Sequence, residues 1–153
     1  MQLRDLHSKP GHLIRRAQQI AVALFMEECA DYDLTPVQYA ALVAIRENPG
    51  TDATRLSALI AFDRSTLGNV LERLEARKLL VRYPSPDDKR IKLLKLNAAG
   101  QALIARVQGA VNRAQERILA PLKPADRKRL MHLLGQLVEL NNDASRVPQR
   151  PAD

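Results

Sequence analysis

The chain has one cysteine, no tryptophan and three histidines in 153 residues, and aromatic residues make up only 3% of it. The single thiol, Cys29, has no partner for an internal disulfide, which fits a reducing compartment. His7, His12, His132 and Cys29 fall at no metal-ligand spacing, and neither a phosphate-cradling glycine loop nor a nucleophile elbow is present. The expectation is a protein that is not an enzyme and needs no metal or cofactor. No apolar run approaches the roughly 20 residues that cross a bilayer. The first residues also lack the basic region, apolar stretch and small-residue cleavage site of a secretory leader. A cytoplasmic location without membrane contact follows as an expectation.

What is present leans helical: hydrophobic residues are 46% of the chain, mostly Leu, Ala, Val and Ile. The length suits one ordinary domain. Net charge is +7 and the pI is near 10.0. Charge alone speaks only of solubility and nonspecific attraction, so its placement decides. Between Thr54 and Leu96 ten basic residues face five acidic ones, which puts +5 of the +7 in the middle of the chain.

Periodicity predicts a first helix from about Pro10 to Tyr32, with Leu13, Ile14, Ala17, Ile20, Ala21, Leu24 and Phe25 on one side. A second opens at Thr35-Pro36, an N-cap followed by proline, and stops at Asn48-Pro49-Gly50. Residues 51–61 read as a short third helix. A fourth, from Ser65 to Lys78, repeats Leu67, Val70, Leu71 and Leu74 at i, i+3, i+4, i+7. Residues 79–83 and 91–96 read as two strands of a hairpin. Asn97 caps a long helix from Ala98 to about Leu119, and a last helix from Ala125 to Asn141 carries Leu130, Leu133, Leu134, Leu137 and Val138 inward. Residues 142–153 read as a frayed, flexible tail.

The fold class is therefore mainly α with a small β-hairpin wing. Helix, tight turn, helix and basic hairpin form the pattern of a winged helix-turn-helix, whose second helix fits the roughly 12 Å wide major groove of B-form DNA. With the leucines of the fourth helix turned inward, its opposite face presents Arg64, Ser65, Gly68, Asn69, Glu72 and Arg73. A glycine in mid-helix costs about 0.5–1 kcal/mol relative to alanine. Close approach to DNA at Gly68 offers a compensating gain. In the hairpin, Pro84 and Pro86 cannot donate to a ladder, so pairing is expected to end there and the tip to protrude. Asp88 and Arg90, two apart in an extended chain, share a side, so the carboxylate can steady the guanidinium beside Lys89. A held, flat cation suits the negative potential of a narrow minor groove.

The run DRSTLGNVLERLEARKLLVRYPSPDDKRIKLLKLNAAG, Asp63 to Gly100, resembles the recognition helix and wing of the MarR family of bacterial transcription regulators. That family carries an Asp-x-Arg wing signature, then a strand, a Leu-Thr pair and a glycine opening the next helix. The matches are Asp88, Arg90, Leu96 and Gly100, with Asn97 in place of threonine, a neutral exchange of one good N-cap for another. The stretches KPGHLIRRAQQIAVALF and TPVQYAALVAI further resemble a proteobacterial branch that often represses catabolism of aromatic acids, including nicotinate-type compounds.

The resemblance implies a homodimer joined by helices within 10–34 and 98–141, with residues 35–97 as the DNA-binding region and two heads on a pseudo-palindromic operator. The excess of apolar surface at both ends of the chain independently permits two-fold pairing. Ser65, Thr66, Gly68 and Asn69 are expected to meet bases or nearby phosphates, Arg64 and Arg73 to hold the backbone, and Asp88, Lys89 and Arg90 to form the wing contact. Members of the family often release DNA when a small anionic aromatic effector binds between the dimer helices and the head. His7, His12, Arg16 and Tyr39 are the candidate ligand residues, with His12 and Arg16 preferred because residues four apart share a helix face. Two alternatives stay open: a redox switch at Cys29, which its acidic neighbours disfavour, and a winged helix used for protein or RNA contact.

Overall fold

The computed structural model of the chain describes residues 2–151. In chain order its elements are α1 (Leu3–His7), α2 (Pro10–Glu28), a 3-10 turn (Ala30–Tyr32), α3 (Pro36–Glu47), β1 (Thr51–Asp52), α4 (Ala53–Ile60), α5 (Arg64–Ala76), β2 (Leu80–Pro84), β3 (Lys92–Leu96), α6 (Ala98–Leu119), α7 (Pro124–Leu140) and a second 3-10 turn (Asn142–Ala144).

Local chemistry sets most boundaries. Thr35 and Gln38 form a reciprocal capping box at α3: the Thr35 hydroxyl accepts from the Gln38 N–H at 3.2 Å, and the Gln38 amide oxygen accepts from the Thr35 N–H at 3.0 Å. Asn97 Oδ1 accepts from the Gly100 N–H at 3.0 Å and opens α6. The first long helix ends sooner than its apolar spacing predicts, at Glu28, because the chain tightens into the 3-10 turn and Asp33 takes a left-handed conformation, φ 49°. Helix α5 stops at Ala76 rather than Lys78. Lys78 is left-handed (φ 56°), and the N–H groups of Lys78 and Leu79 bond back to Glu75 O and Leu74 O at 2.8 and 3.0 Å, which closes the last turn.

The hairpin is part of a three-stranded antiparallel sheet of order β1-β3-β2. Strand β1 falls where the sequence reads the start of a helix. Thr51 pairs with Leu94 and Asp52 with Leu93, and α4 begins only after Asp52 accepts from the Arg55 N–H at 2.8 Å. Two residues are too few to leave a period. Strand β2 runs on through Pro84, which pairs with Lys92, and Ser85 N–H still donates to Ile91 O at 2.9 Å. Pro84 therefore does not end the pairing: β2 is an edge strand, and the nitrogen one residue before an inward-pointing N–H faces the open edge.

Leu34, Leu42, Ile45, Leu56, Leu67, Leu71, Leu74, Leu80, Leu94, Ile104 and Val107 are fully buried and join α3, α4, α5, the sheet and α6 in one core. Gly100 is where α6 meets it: a Cβ there would run into the Leu79 carbonyl. Helix α2 packs along α6, tied by Arg113 and Arg117 to Glu28 at 2.9 and 2.8 Å. The Arg113 hydrogen bond, ahead of that from Arg117, holds the Glu28 carboxyl below its ordinary value.

The C-terminal end departs from the sequence reading, whereas the apolar surface expected at the N-terminal end is present. Leu130, Leu133, Leu134, Leu137 and Val138 of α7 are 41–58% exposed rather than buried, and Leu13, Ile14 and Ile20 of α2 are exposed as well. Apolar periodicity marks a face that needs cover without saying which chain supplies it. The expected frayed tail is held by hydrogen bonds as far as Arg150, whose N–H donates to Ala58 O at 2.9 Å. Its last two positions, 152–153, lie outside the described residues.

Candidate nucleic-acid interface

Helix α5 follows α4 across a turn of residues 61–63, in which Ala61 is left-handed (φ 50°) and Phe62 N–H bonds Ser57 O at 3.0 Å. Asp63 caps α5. Its carboxylate accepts from the Ser65 hydroxyl at 2.8 Å and from the Ser65 N–H at 3.4 Å, and these bonds hold the Asp63 carboxyl below its ordinary value. Thr66 donates its hydroxyl to Asp63 O at 3.1 Å. Both hydroxyls are thus oriented by the cap, and each oxygen retains lone pairs for an outside donor.

With Leu67, Leu71 and Leu74 buried, Arg64, Ser65, Thr66, Asn69 and Arg73 all lie exposed on α5. Gly68 sits among them, and a Cβ built on it would meet no atom of the chain within 4 Å. Packing inside the chain therefore gives no reason for glycine at this helical position.

At the wing, Asp88 and Arg90 meet as expected, but in a turn instead of an extended chain. Arg90 donates through Nε to Asp88 Oδ1 at 3.0 Å and through Nη2 to Oδ2 at 2.8 Å, and its own N–H also reaches Oδ1 at 3.0 Å. The Arg90 side chain stays 91% exposed while braced. The Arg90 hydrogen bonds lower the Asp88 carboxyl and Asp88 raises the guanidinium, so both stay charged through the neutral range. Lys89 is exposed beside them.

Between the start of α4, α5 and the wing lies a cleft of about 310 Å³ whose lining includes Thr54, Arg64, Arg82, Arg90 and Lys92. Thr54, Arg82 and Lys92 are additions that periodicity did not single out. Arg82 pairs with Leu94 and Pro84 with Lys92, so both cations stand on one face of the sheet, and that follows only from the strand register. Arg82 is also fastened to Glu75 of α5 at 2.6 Å, which ties the wing to the helix beside it.

The candidate ligand residues do not gather into one site within the chain. The His7 and His12 rings lie 5.0 Å apart, Arg15 Nη2 is 3.4 Å from His12 Nδ1, and Arg16 instead reaches Gln19 at 3.4 Å. Arg15, not the preferred Arg16, thus accompanies His12. Desolvation first, then Arg15 and the neighbouring cationic groups, push the His12 pKa down. Tyr39 lies elsewhere, its ring 6.0 Å from Phe25 and its hydroxyl 3.4 Å from Gln108 Oε1. Phe25 and His12 are separated along α2 by about 20 Å at 1.5 Å per residue. Cys29 is fully buried, and burial followed by the adjacent Glu28 charge raises its thiol. A thiol so placed is poorly suited to peroxide chemistry. Among the described residues no His, Cys, Asp or Glu cluster could hold a metal ion, and no helix is long and apolar enough to cross a membrane.

A cationic wing beside an exposed, glycine-bearing second helix defines the class: a winged helix-turn-helix DNA-binding protein. The MarR family model matches residues 32–91. The chain is 29% identical over 140 residues to the HTH-type transcriptional repressor NicR of Pseudomonas putida, covering 92% of this chain and 89% of that one. It superposes on Bordetella bronchiseptica BpsR, described with regulation of DNA binding by 6-hydroxynicotinic acid, with TM-score 0.79 and 33% identity over 86% of this chain and 94% of that one. The repressor CouR bound to a 23-mer DNA duplex gives TM-score 0.81 at 29% identity, covering 90% and 98%. The chain belongs to the MarR family of transcriptional regulators.

Proposed function

We propose that the protein is a homodimeric repressor that binds a pseudo-palindromic operator and releases it when a small aromatic carboxylate binds. The observation that carries this is the shared surface of α5 and the wing, where Arg64, Ser65, Thr66, Asn69 and Arg73 surround the open position at Gly68 beside the braced Arg90. In this reading Ser65, Thr66 and Asn69 meet base edges at Gly68's close approach, Arg64 and Arg73 hold phosphates, and Lys89 and Arg90 of the wing reach backbone and minor groove, with Asp88 as the brace. Residues 35–97 are the DNA-binding region, and 10–34 with 98–141 form the dimer. The exposed apolar faces of α2 and α7 favour this division, since a two-fold interface would cover both. Such a regulator acts in the cytoplasm, where the operator is.

The effector class rests on BpsR, described with 6-hydroxynicotinic acid, and on the similarity to a homoprotocatechuate degradative operon repressor of Escherichia coli. The wide separation of His12 from Tyr39 favours a pocket completed by two chains, with Tyr39 and Gln108 from one and His7, His12, Arg15 and Arg16 from the other. A carboxylate beside His12 would raise its depressed pKa, so binding takes up a proton and strengthens as pH falls.

The test is to select bound duplexes from random DNA, where an inverted repeat is expected. Against the selected duplex, Arg90→Ala should weaken binding and flatten its salt dependence by about 0.9 per lost phosphate contact. Asn69→Ala should change which sequence is preferred. Unchanged binding by both variants removes the residue assignment, and preference for RNA or for no nucleic acid removes the function. Benzoate, salicylate and nicotinate titrated against the complex should release DNA, and no effect from any of them defeats the effector reading.

A further inference from the structure

The C-terminal segment makes contacts that neither DNA reading nor dimer formation explains. The last four carbonyls of a helix have no partner within it. In α4, Ser57 O is taken by Ala61 and Phe62 N–H groups of the following turn. Ala58 O and Leu59 O are taken by residues some ninety positions away: Arg150 N–H donates to Ala58 O at 2.9 Å, and the Gln149 amide donates to Leu59 O at 3.1 Å. Three residues beyond α4, Arg146 Nη2 lies 3.4 Å from Oδ2 of Asp63, the cap of α5. One short segment therefore touches the end of the first helix of the motif and the start of the second.

The segment is also anchored at its other end. Asn142 and Gln149 close it into a loop, with Asn142 Nδ2 donating to Gln149 O at 3.0 Å and Gln149 N–H donating to Asn142 Oδ1 at 2.8 Å. Arg150 pairs with Asp143 at 2.9 Å. Asn142 and Asp143 follow Asn141, the C-cap of α7. Pro148 and Pro151 flank the Gln149–Arg150 pair and narrow its backbone freedom before docking, which reduces the entropy lost on ordering.

We propose that residues 142–151 form a strap that fixes the helix-turn-helix motif to the end of α7, with Arg146 as a positioning residue acting on the start of the recognition helix through Asp63. The inference rests on the DNA-binding reading and on α7 belonging to the dimer. The strap then sets the separation and tilt of the two heads, and so the half-site spacing the dimer accepts. The Arg146 pair, with its arginine side chain 84% exposed, is a weak brace by itself, and the two carbonyl contacts are the main attachment.

The test uses full-length variants, the duplex the wild type selects from random DNA, and versions of it with one base pair added or removed at the centre. Arg150→Pro removes the N–H that meets Ala58 O, Arg150→Ala keeps it, and Gln149→Ala removes the amide that meets Leu59 O. Wild type and Arg150→Ala should lose about tenfold or more in affinity on the altered spacings, because a head held in place must strain to reach its half-site. Arg150→Pro combined with Gln149→Ala should bind the selected duplex a few-fold more weakly and discriminate spacings by less than about threefold. Loss of stability alone cannot imitate this, because it lowers the active fraction equally for every duplex. Arg146→Ala should weaken binding about threefold, as suits an exposed pair, with Arg146→Lys restoring most of it and no further loss in an Asp63→Asn background. Unaltered spacing discrimination in the strap variants overturns the strap, and an Arg146→Ala loss that persists in Asp63→Asn overturns the role of Arg146. A wild type that selects no duplex overturns the DNA-binding reading itself, a separate result.

Discussion

Gly68→Ala separates what the recognition helix needs for folding from what it needs for DNA. A Cβ at this position meets no atom of the chain within 4 Å, and the backbone there is ordinary helix. Folding should then gain the usual helical difference between the two residues, about 0.5–1 kcal/mol. In a domain of this length that raises the thermal midpoint by about 1–4 °C. Bound to DNA, the same methyl stands where a base edge or phosphate is proposed to press against the helix. Forcing a methyl into a packed contact costs about 1–3 kcal/mol. At the low end, two heads lose about 2 kcal/mol together, or roughly thirtyfold in affinity. Calorimetry on the free protein and fluorescence anisotropy with the selected duplex measure the two effects side by side. A raised midpoint with wild-type affinity would refute the close approach, and a lowered midpoint would refute the open space.

Gly100→Ala should act in the opposite sense on folding, since its Cβ meets the Leu79 carbonyl, a backbone group that cannot swing aside. A loss of about 1–3 kcal/mol is expected in urea unfolding, and a change under about 0.5 kcal/mol would contradict the geometry. Leu137→Arg places a charge on the exposed apolar face of α7 and should give a helical monomer that no longer retains the operator, as light scattering and anisotropy would report. A dimer of undiminished strength would exclude that face. Asp88 has its carboxyl lowered by Arg90, so the wing brace is complete above the ordinary carboxylate value of about 3.9 and is lost as pH falls through the lower folded value. Carboxyl NMR should place its midpoint below that of a free aspartate, and Arg90→Gln should raise it only part of the way back, because the residue-90 N–H still donates to Asp88 Oδ1. Buried Cys29, its thiol raised by desolvation, should leave DNA binding unchanged after mild peroxide, and a reversible loss absent in Cys29→Ser would restore the redox reading.

The parts legible in the sequence are those with a local cause. Thr35 and Pro36 announce α3 because an N-cap followed by proline acts within one turn, and Asn97 announces α6 as an N-cap whose bond to the Gly100 N–H is equally local. The buried face of α5 follows from the spacing of Leu67, Leu71 and Leu74. Asp88 and Arg90 are near enough in the chain to find each other, although a turn and not a strand brings them together. Position β1 and the cleft cations Arg82 and Lys92 were not legible, since each depends on the register of a strand forty or ten residues away.

The ends of the chain mark the boundary most plainly. Apolar stripes on α2 and α7 state that a face must be covered, yet the same stripes read equally as a core inside the chain or as an interface between two chains; only the packing of α6 against α2, with α7 left outside, shows that the chain does not cover the α7 stripe itself. A polar, proline-bearing tail reads as solvent-exposed, because carbonyls at the end of a distant helix leave no trace in its own composition. The long helices from α2 onward, the caps Thr35 and Asn97 and the charge of the wing could be read from residues close together in the chain, whereas α1 and the exact ends of α2 and α5 could not. Tertiary structure alone decided which groups separated along the chain share a surface, because such contacts depend on how whole elements pack and carry no period of their own.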